Sequence, residues 1–148
     1  MHRETETQVS RNGGMTSSPI PPHPIPAEAL ARIQSLYDAG LCLQAYSAAQ
    51  ELGPLKRWTG PTARTLAARL ASNLGGYQLG RVLHWLAYRS DPSNPGLAAY
   101  YAHARLDRRG PLAVWEFLES YGNPPEASEA NGVSHFFTVR AMVAGSPA

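Results

Sequence analysis

The stretch that decides the fold is residues 61–95, PTARTLAARLASNLGGYQLGRVLHWLAYRSDPSNP. It opens with a proline, continues with leucines four residues apart and reaches a Gly-Gly pair, an order typical of a helix that ends in a tight turn. A second apolar segment follows Gly75-Gly76 and stops at Asp91-Pro92. The stretch therefore predicts a helical hairpin that bends at Gly75.

Glycine recurs every 35 residues along the chain, at Gly40, Gly75, Gly110 and Gly145. A fixed period of this size is typical of helical repeats, in which each unit buries its apolar face on the next. The predicted helices have about 10 to 13 residues, a length that is marginal for an isolated helix in water. Stability must therefore come from stacking one hairpin on another.

We therefore expect an all-α fold, an α-solenoid of helix hairpins, and no disulfide, because Cys42 is the single cysteine. The polar and then proline-rich N-terminal segment is expected to be an unpacked tail. The predicted tail covers residues 1–25, the repeat domain covers 26–145, its three hairpins cover about 26–60, 61–95 and 96–130, and a lone helix covers 133–144.

The apolar pattern also predicts which side chains face inward. The inward positions are expected to include Leu43, Leu70, Leu83, Leu112 and Leu118. The last helix has no following helix to cover it, so its outer face is expected to be sticky and to favour self-association. Phe136, Phe137 and Met142 are the candidates for that face.

The formal net charge of +2 hides an uneven distribution. Residues 52–90 hold six basic side chains and no acid, whereas residues 1–51 and 91–148 each carry a formal charge of −2. Such a basic band can attract acidic peptides, nucleic acid or an acidic domain. The band consists of Lys56, Arg57, Arg64, Arg69, Arg81 and Arg89.

The pattern resembles the tetratricopeptide repeat over about residues 26–145, in a divergent form. The first-helix signature is matched by apolar or small residues such as Ile33 and Leu36, and the small second-helix residue by Ala45 and Gly80. The closing proline is matched by Pro92. The period here is 35 residues, whereas that family has about 34. The chain is also similar to the N-terminal parts of longer bacterial repeat proteins, so we expect it to be a truncated piece of one.

The resemblance implies a non-catalytic scaffold whose first helices line a concave groove for a peptide or protein partner. In such a groove an arginine can pair with an acidic group of the ligand, and tyrosines supply rigid contact area. The groove residues implied by the resemblance are Gln34, Tyr37, Thr65, Arg69, Tyr100, Asp107 and His135.

RNA binding is the alternative function, because the basic band suits phosphates and a 35-residue helical repeat is also similar to the pentatricopeptide RNA readers. Those proteins read a base through polar side chains of the first helix, and the matching positions here hold Leu30, Thr65 and Tyr100. Only Thr65 suits that role, which argues against nucleic acid as the partner.

No residue constellation indicates an enzyme. His84, His103 and His135 lie on three different predicted helices without a neighbouring cysteine or carboxylate pattern for zinc. We therefore expect no cofactor and no metal. The chain has no apolar run of the roughly 18 residues that a membrane span needs, and the first 26 residues lack the apolar block of a signal peptide. These features predict a cytoplasmic protein without membrane contact.

Overall fold

The computed structural model describes residues 24–122 and 133–145, and within them the protein is all-helical. The predicted tail lies outside these residues except for its last two positions, and residues 123–130 of the third predicted hairpin also lie outside them. The helices are α1 (Ala27–Asp38), α2 (Cys42–Glu51), a 3₁₀ turn (Leu55–Arg57), α3 (Pro61–Asn73), α4 (Tyr77–Ser90), α5 (Pro95–Tyr121) and α6 (Val133–Ala144).

Two of the periodic glycines form the same helix-ending bend. Gly40 and Gly75 have φ values of +79° and +89°, a backbone conformation that residues with a Cβ rarely adopt. The amide after each glycine donates to a carbonyl five residues earlier, from Leu41 to Leu36 at 2.9 Å and from Gly76 to Ala71 at 2.7 Å. These bonds satisfy carbonyls that a helix end leaves unpaired. Gly40 and Gly75 therefore mark two left-handed turns that lie 35 residues apart.

The third bend differs because a proline follows the glycine. Gly110 has φ +76° and ψ 168°, and it divides α5 into a first arm (95–109) and a second arm (111–121). Pro111 has no amide hydrogen, so it cannot donate the bond that closes the first two bends. The second arm nevertheless returns along the first, since the Tyr121 hydroxyl donates to the Ser93 carbonyl at 2.7 Å. Gly145, the fourth periodic glycine, does not have a positive φ.

Close contact between α3 and α4 explains the glycine inside α4. A Cβ added at Gly80 would lie 2.1 Å from the Ser72 Oγ and 3.1 Å from the Ala68 carbonyl oxygen. Glycine inside a helix costs about 1 kcal/mol relative to alanine. Here it lets the two helices of the central hairpin approach closely.

The core has two parts. The first joins α1, α2, α3 and α4 around Ile33, Leu66 and Leu70, and it includes the buried Trp58, whose indole N–H donates to the Gly53 carbonyl at 3.2 Å. The second joins both arms of α5 to α6 around Leu118 and Phe136. Helix α3 also contacts α1 and the first arm of α5, so it lies at the centre of the described structure.

Several side chains depart from the predicted faces. Leu43 is 68% exposed and Leu112 is 70% exposed, so both predicted inward positions are wrong. Phe136 is fully buried because α6 packs on the second arm of α5, which corrects its assignment to the sticky outer face. Phe137 and Met142 of the same helix are exposed. No described helix combines the length and apolarity needed to cross a membrane.

Candidate functional site

The candidate site is a cleft of about 620 Å³ that receives side chains from five helices. We call it the tyrosine–arginine cleft. It lies at the ends of α1 and α3, and it is completed by the start of α4, the first arm of α5 and the start of α6. Its lining residues are Tyr37, Arg69, Ser72, Asn73, Tyr77, Arg81, His84, Tyr100, His103, Ala104, Asp107 and His135.

The bends bring the lining residues together. Tyr37, Asn73 and Asp107 each lie two or three residues before a periodic glycine, so the repeat places three equivalent helix ends in one region. A direct bond ties two of them, because the Asn73 side-chain amide donates to the Tyr37 hydroxyl at 2.6 Å. The same amide donates to the Arg69 carbonyl at 2.9 Å. The floor of the cleft is therefore held by contacts between neighbouring hairpins.

Arg69 is held over two tyrosine rings. Its guanidinium carbon lies 4.4 Å from the centre of the Tyr37 ring and 5.3 Å from the centre of the Tyr100 ring. Cation–π contacts of this kind contribute about 0.5 to 1 kcal/mol at exposed sites and fix the plane of the guanidinium. Within the described residues Arg69 forms no ion pair with a carboxylate. Its N–H groups are thus available to an external acceptor.

Two histidines pack against the same tyrosine. The His84 ring stacks on Tyr100 with 5.6 Å between centroids, and the His135 centroid lies 4.1 Å from that of Tyr100. The His84 Nδ1 and the His135 Nε2 are buried and have no hydrogen-bond partner among the described residues. A buried nitrogen without a partner carries a desolvation cost.

The histidines are held in their neutral form at physiological pH. Burial lowers the pKa of His84 to about 4, and the charge of Arg69 acts in the same direction, as do His103 and His135 in their protonated forms. Burial also lowers the pKa of His135, with further contributions from His103 and Arg69. A neutral imidazole can donate from one ring nitrogen and accept at the other. The permanent positive charges of the cleft are therefore Arg69 and Arg81.

Five of the seven predicted groove residues line this cleft: Tyr37, Arg69, Tyr100, Asp107 and His135. The other two lie elsewhere and bond within their own helices. Gln34 donates to the Asp38 carboxylate at 2.7 Å, and the Thr65 hydroxyl donates to the Pro61 carbonyl at 2.8 Å. Neither belongs to the lining.

The predicted set omitted the residues that the cleft takes from α4. Tyr77, Arg81 and His84 belong to the first two turns of that helix, which is the second helix of its hairpin. The sequence signal for them was the group of scattered histidines, since His84, His103 and His135 all line the cleft. Despite this grouping, no set of three or more metal-ligating side chains within the described residues could hold a metal ion.

No family model, curated protein sequence or solved structure matches the chain. The function of the cleft is therefore inferred from its own residues.

Proposed function

We propose that the protein is a non-catalytic, cytoplasmic interaction scaffold that binds a peptide or protein segment in the tyrosine–arginine cleft, with Arg69 as the anchor for an acidic group of the partner. The observation that carries the proposal is the placement of Arg69 over the Tyr37 and Tyr100 rings without an ion-pair partner among the described residues.

The finer fold proposal is a solenoid similar to the tetratricopeptide repeat. It is supported by contacts between consecutive helices and by contacts of α3 with both α1 and α5. Helices that begin successive units are thus neighbours, as a stacked array requires. The left-handed glycines Gly40, Gly75 and Gly110, at a spacing of 35 residues, each end the first helix of a unit. In such an array the first helices form one continuous surface, and four of them contribute to the cleft: α1, α3, the first arm of α5 and α6.

An acidic partner is favoured by the chemistry of arginine. The planar guanidinium offers paired N–H groups that match the two oxygens of a carboxylate. The tyrosine rings already fix its plane, so little side-chain freedom is lost when the pair forms. Arg81 adds a second permanent positive charge, while Asp107 is the single carboxylate that the described residues bring to the lining.

An extended peptide is favoured over a compact ligand by the shape and composition of the cleft. The lining comes from five helices and combines tyrosine rings with imidazoles that lack partners. Tyrosine supplies contact area at a low cost in conformational entropy. The exposed His103 imidazole can bond the amide groups that an extended peptide exposes along its length. The main chain of the bound peptide would thus supply affinity, and its acidic side chain would set its orientation.

The test uses a random library of decapeptides captured on the immobilised full-length protein and identified by mass spectrometry. The proposal predicts enrichment of Asp and Glu over the input library. Arg69→Gln removes the charge but keeps a polar side chain, and Arg32→Gln is the matched control on the exposed surface of α1. Loss of charged hydrogen bonds worth about 1.5 to 3 kcal/mol predicts weakening of roughly 10-fold to 150-fold by Arg69→Gln.

Fluorescence anisotropy with the most enriched peptide measures that weakening. Arg32→Gln is expected to bind within about twofold of the wild type, because a distant surface charge contributes little at physiological ionic strength. Equal affinities for wild type and Arg69→Gln would reject the anchor. Enrichment of Lys and Arg peptides would reject the acidic partner.

A further inference from the structure

A second concave surface lies between α4 and the first arm of α5. It has a volume of about 390 Å³ and is separate from the tyrosine–arginine cleft except for Arg81, which lines both. We call it the arginine groove. Its lining residues are Gln78, Arg81, Val82, Trp85, Tyr101, Arg105, Arg108 and Arg109.

Helical spacing accounts for the groove. On α4 the lining positions fall at 78, 81, 82 and 85, and on α5 they fall at 101, 105, 108 and 109. Residues three and four apart share one face of a helix, so each wall is a single stripe. The α5 stripe runs from position 101 to position 109, and these eight residue steps correspond to about 12 Å of helix. Guanidinium groups therefore stand on both walls of a short trough.

Aromatic rings hold the arginines in place. The Arg105 guanidinium carbon lies 5.2 Å from the centre of the Tyr101 ring and 5.9 Å from that of Phe117. Arg89, one turn beyond the lining, lies 5.0 Å from the Trp85 ring. Fixing a guanidinium before binding lowers the entropy that an anionic ligand must pay.

The groove carries uncompensated positive charge. In the part of the chain that the structure describes, none of Arg81, Arg105, Arg108 and Arg109 forms an ion pair. Among the described residues the lining contains no acidic side chain. Trp85 is 40% exposed, so an apolar ring surface lies among the arginines. The groove thus combines a row of cations with an exposed indole.

We infer that the arginine groove binds the sugar-phosphate backbone of single-stranded nucleic acid, with Trp85 as a stacking surface for one base. The lining holds four arginines, so it can neutralise about four phosphates of a strand. Every phosphate carries a charge and accepts two N–H groups from an arginine. Base stacking on an exposed aromatic ring tolerates any base, so the groove recognises RNA and DNA strands without a sequence preference.

Single-stranded nucleic acid fits this surface better than an acidic peptide does. An acidic peptide would satisfy the arginines, but an indole flanked by cations suits the face of a nucleobase, which every nucleotide of a strand carries. A duplex hides its base faces in the stack and cannot use Trp85 in this way. The groove therefore favours an unpaired strand.

The test measures binding of fluorescein-labelled 12-nucleotide uridine and thymidine strands to the full-length protein between about 0.05 and 0.3 M salt. Neutralising about four phosphates of a single strand predicts a slope near −3 for log affinity against log salt concentration. Arg105→Gln combined with Arg108→Gln should bring the slope to about −1.5 and weaken binding at 0.1 M salt roughly 25-fold. These two residues are chosen because they lie outside the tyrosine–arginine cleft.

Two further variants separate the contributions. Arg32→Gln combined with Lys56→Gln removes the same charge from exposed positions outside the groove, and it should keep the wild-type slope. Trp85→Ala should weaken binding about 5-fold to 150-fold while leaving the slope unchanged, since stacking releases no counterions. Circular dichroism checks that each variant retains the helix content and melting temperature of the wild type.

Three results would overturn the inference. The first is a salt slope near zero, or no binding of either strand at 0.05 M salt. The second is an equal loss of affinity in the groove double variant and in the control double variant. The third is displacement of the strand by poly-glutamate of equal charge at equal or lower concentration, which would assign the groove to an acidic protein.

Discussion

Leu70→Ala tests the stacking of the helices at their centre. Leu70 lies in the middle of α3 with no exposed surface, and it belongs to the core that joins α1, α2, α3 and α4. The substitution removes three side-chain carbon groups. At about 0.8 kcal/mol per group, their transfer from water is worth about 2.4 kcal/mol. The cavity that remains adds to this loss, so we expect a total of roughly 2 to 5 kcal/mol.

The matched control is Leu43→Ala on α2. Leu43 is a leucine in a helix of the same first core region, but it is 68% exposed. Its replacement is expected to change the free energy of unfolding by less than about 0.5 kcal/mol. Both values come from urea denaturation followed by circular dichroism at 222 nm, with the slope against urea checked for constancy.

The stability of the whole chain sets the scale of the effect. Small domains unfold with about 5 to 15 kcal/mol, so a loss of this size removes a large fraction of the total. We expect the melting temperature of Leu70→Ala to fall by roughly 10 °C or more. A loss below about 0.5 kcal/mol, or equal losses for Leu70→Ala and Leu43→Ala, would show that α3 is not the centre of the core.

Three other predictions follow from the described residues. Because the unfolded chain protonates His84 near pH 6.5 and the folded chain near pH 4, its contribution to stability is complete above pH 6.5 and is lost as pH falls to 4. The free energy of unfolding should fall by about 3 kcal/mol from this cause between pH 7.5 and pH 4. Urea titrations at the two pH values should show this part of the loss in the wild type and not in His84→Gln. Equal losses in the two proteins would reject the role of His84. Gly75→Ala should destabilise by about 1 to 2 kcal/mol because of its positive φ, while Gly145→Ala should change stability by less than about 0.5 kcal/mol. The exposed Phe137 and Met142 predict dimerisation that increases with protein concentration. Phe137→Gln combined with Met142→Gln should reduce it. Sedimentation of the wild type as a monomer at all concentrations would contradict this prediction.

The bends were predictable from sequence because they depend on one residue type. Gly40, Gly75 and Gly110 adopt a conformation that other residues rarely enter, so their spacing records the repeat directly. The buried faces were less predictable. Leu43 and Leu112 have the spacing of inward residues, yet no helix of the described ranges covers them. Coverage depends on packing angles that a local pattern does not contain. The same reason explains Phe136, which is buried by the second arm of α5.

The cleft was partly predictable. Tyr37, Arg69 and Tyr100 lie on first helices, and the register of the repeat is enough to place them on one surface. His84 was not included because its side of the cleft comes from the start of a second helix, whose direction depends on the bend at Gly75. The arginine groove was missed because the charge count ended the basic band at Arg89, which separated Arg81 from Arg105, Arg108 and Arg109.

The most direct test of the central claim, that Arg69 anchors an acidic group of a bound segment, is a charge exchange between protein and peptide. The selected acidic decapeptide and its Glu→Lys form are each titrated into wild type and Arg69→Glu by fluorescence anisotropy. Loss of the cation–π contacts is expected to cost Arg69→Glu about 1 kcal/mol of stability, which leaves it folded for the measurement.

Wild type should bind the acidic peptide and reject the Lys form, while Arg69→Glu should reject the acidic peptide and regain at least tenfold in affinity for the Lys form. That reversal requires direct contact between the two exchanged side chains. If the Lys peptide binds wild type and Arg69→Glu with equal affinity, Arg69 does not contact the acidic position and the proposed function of the cleft is wrong.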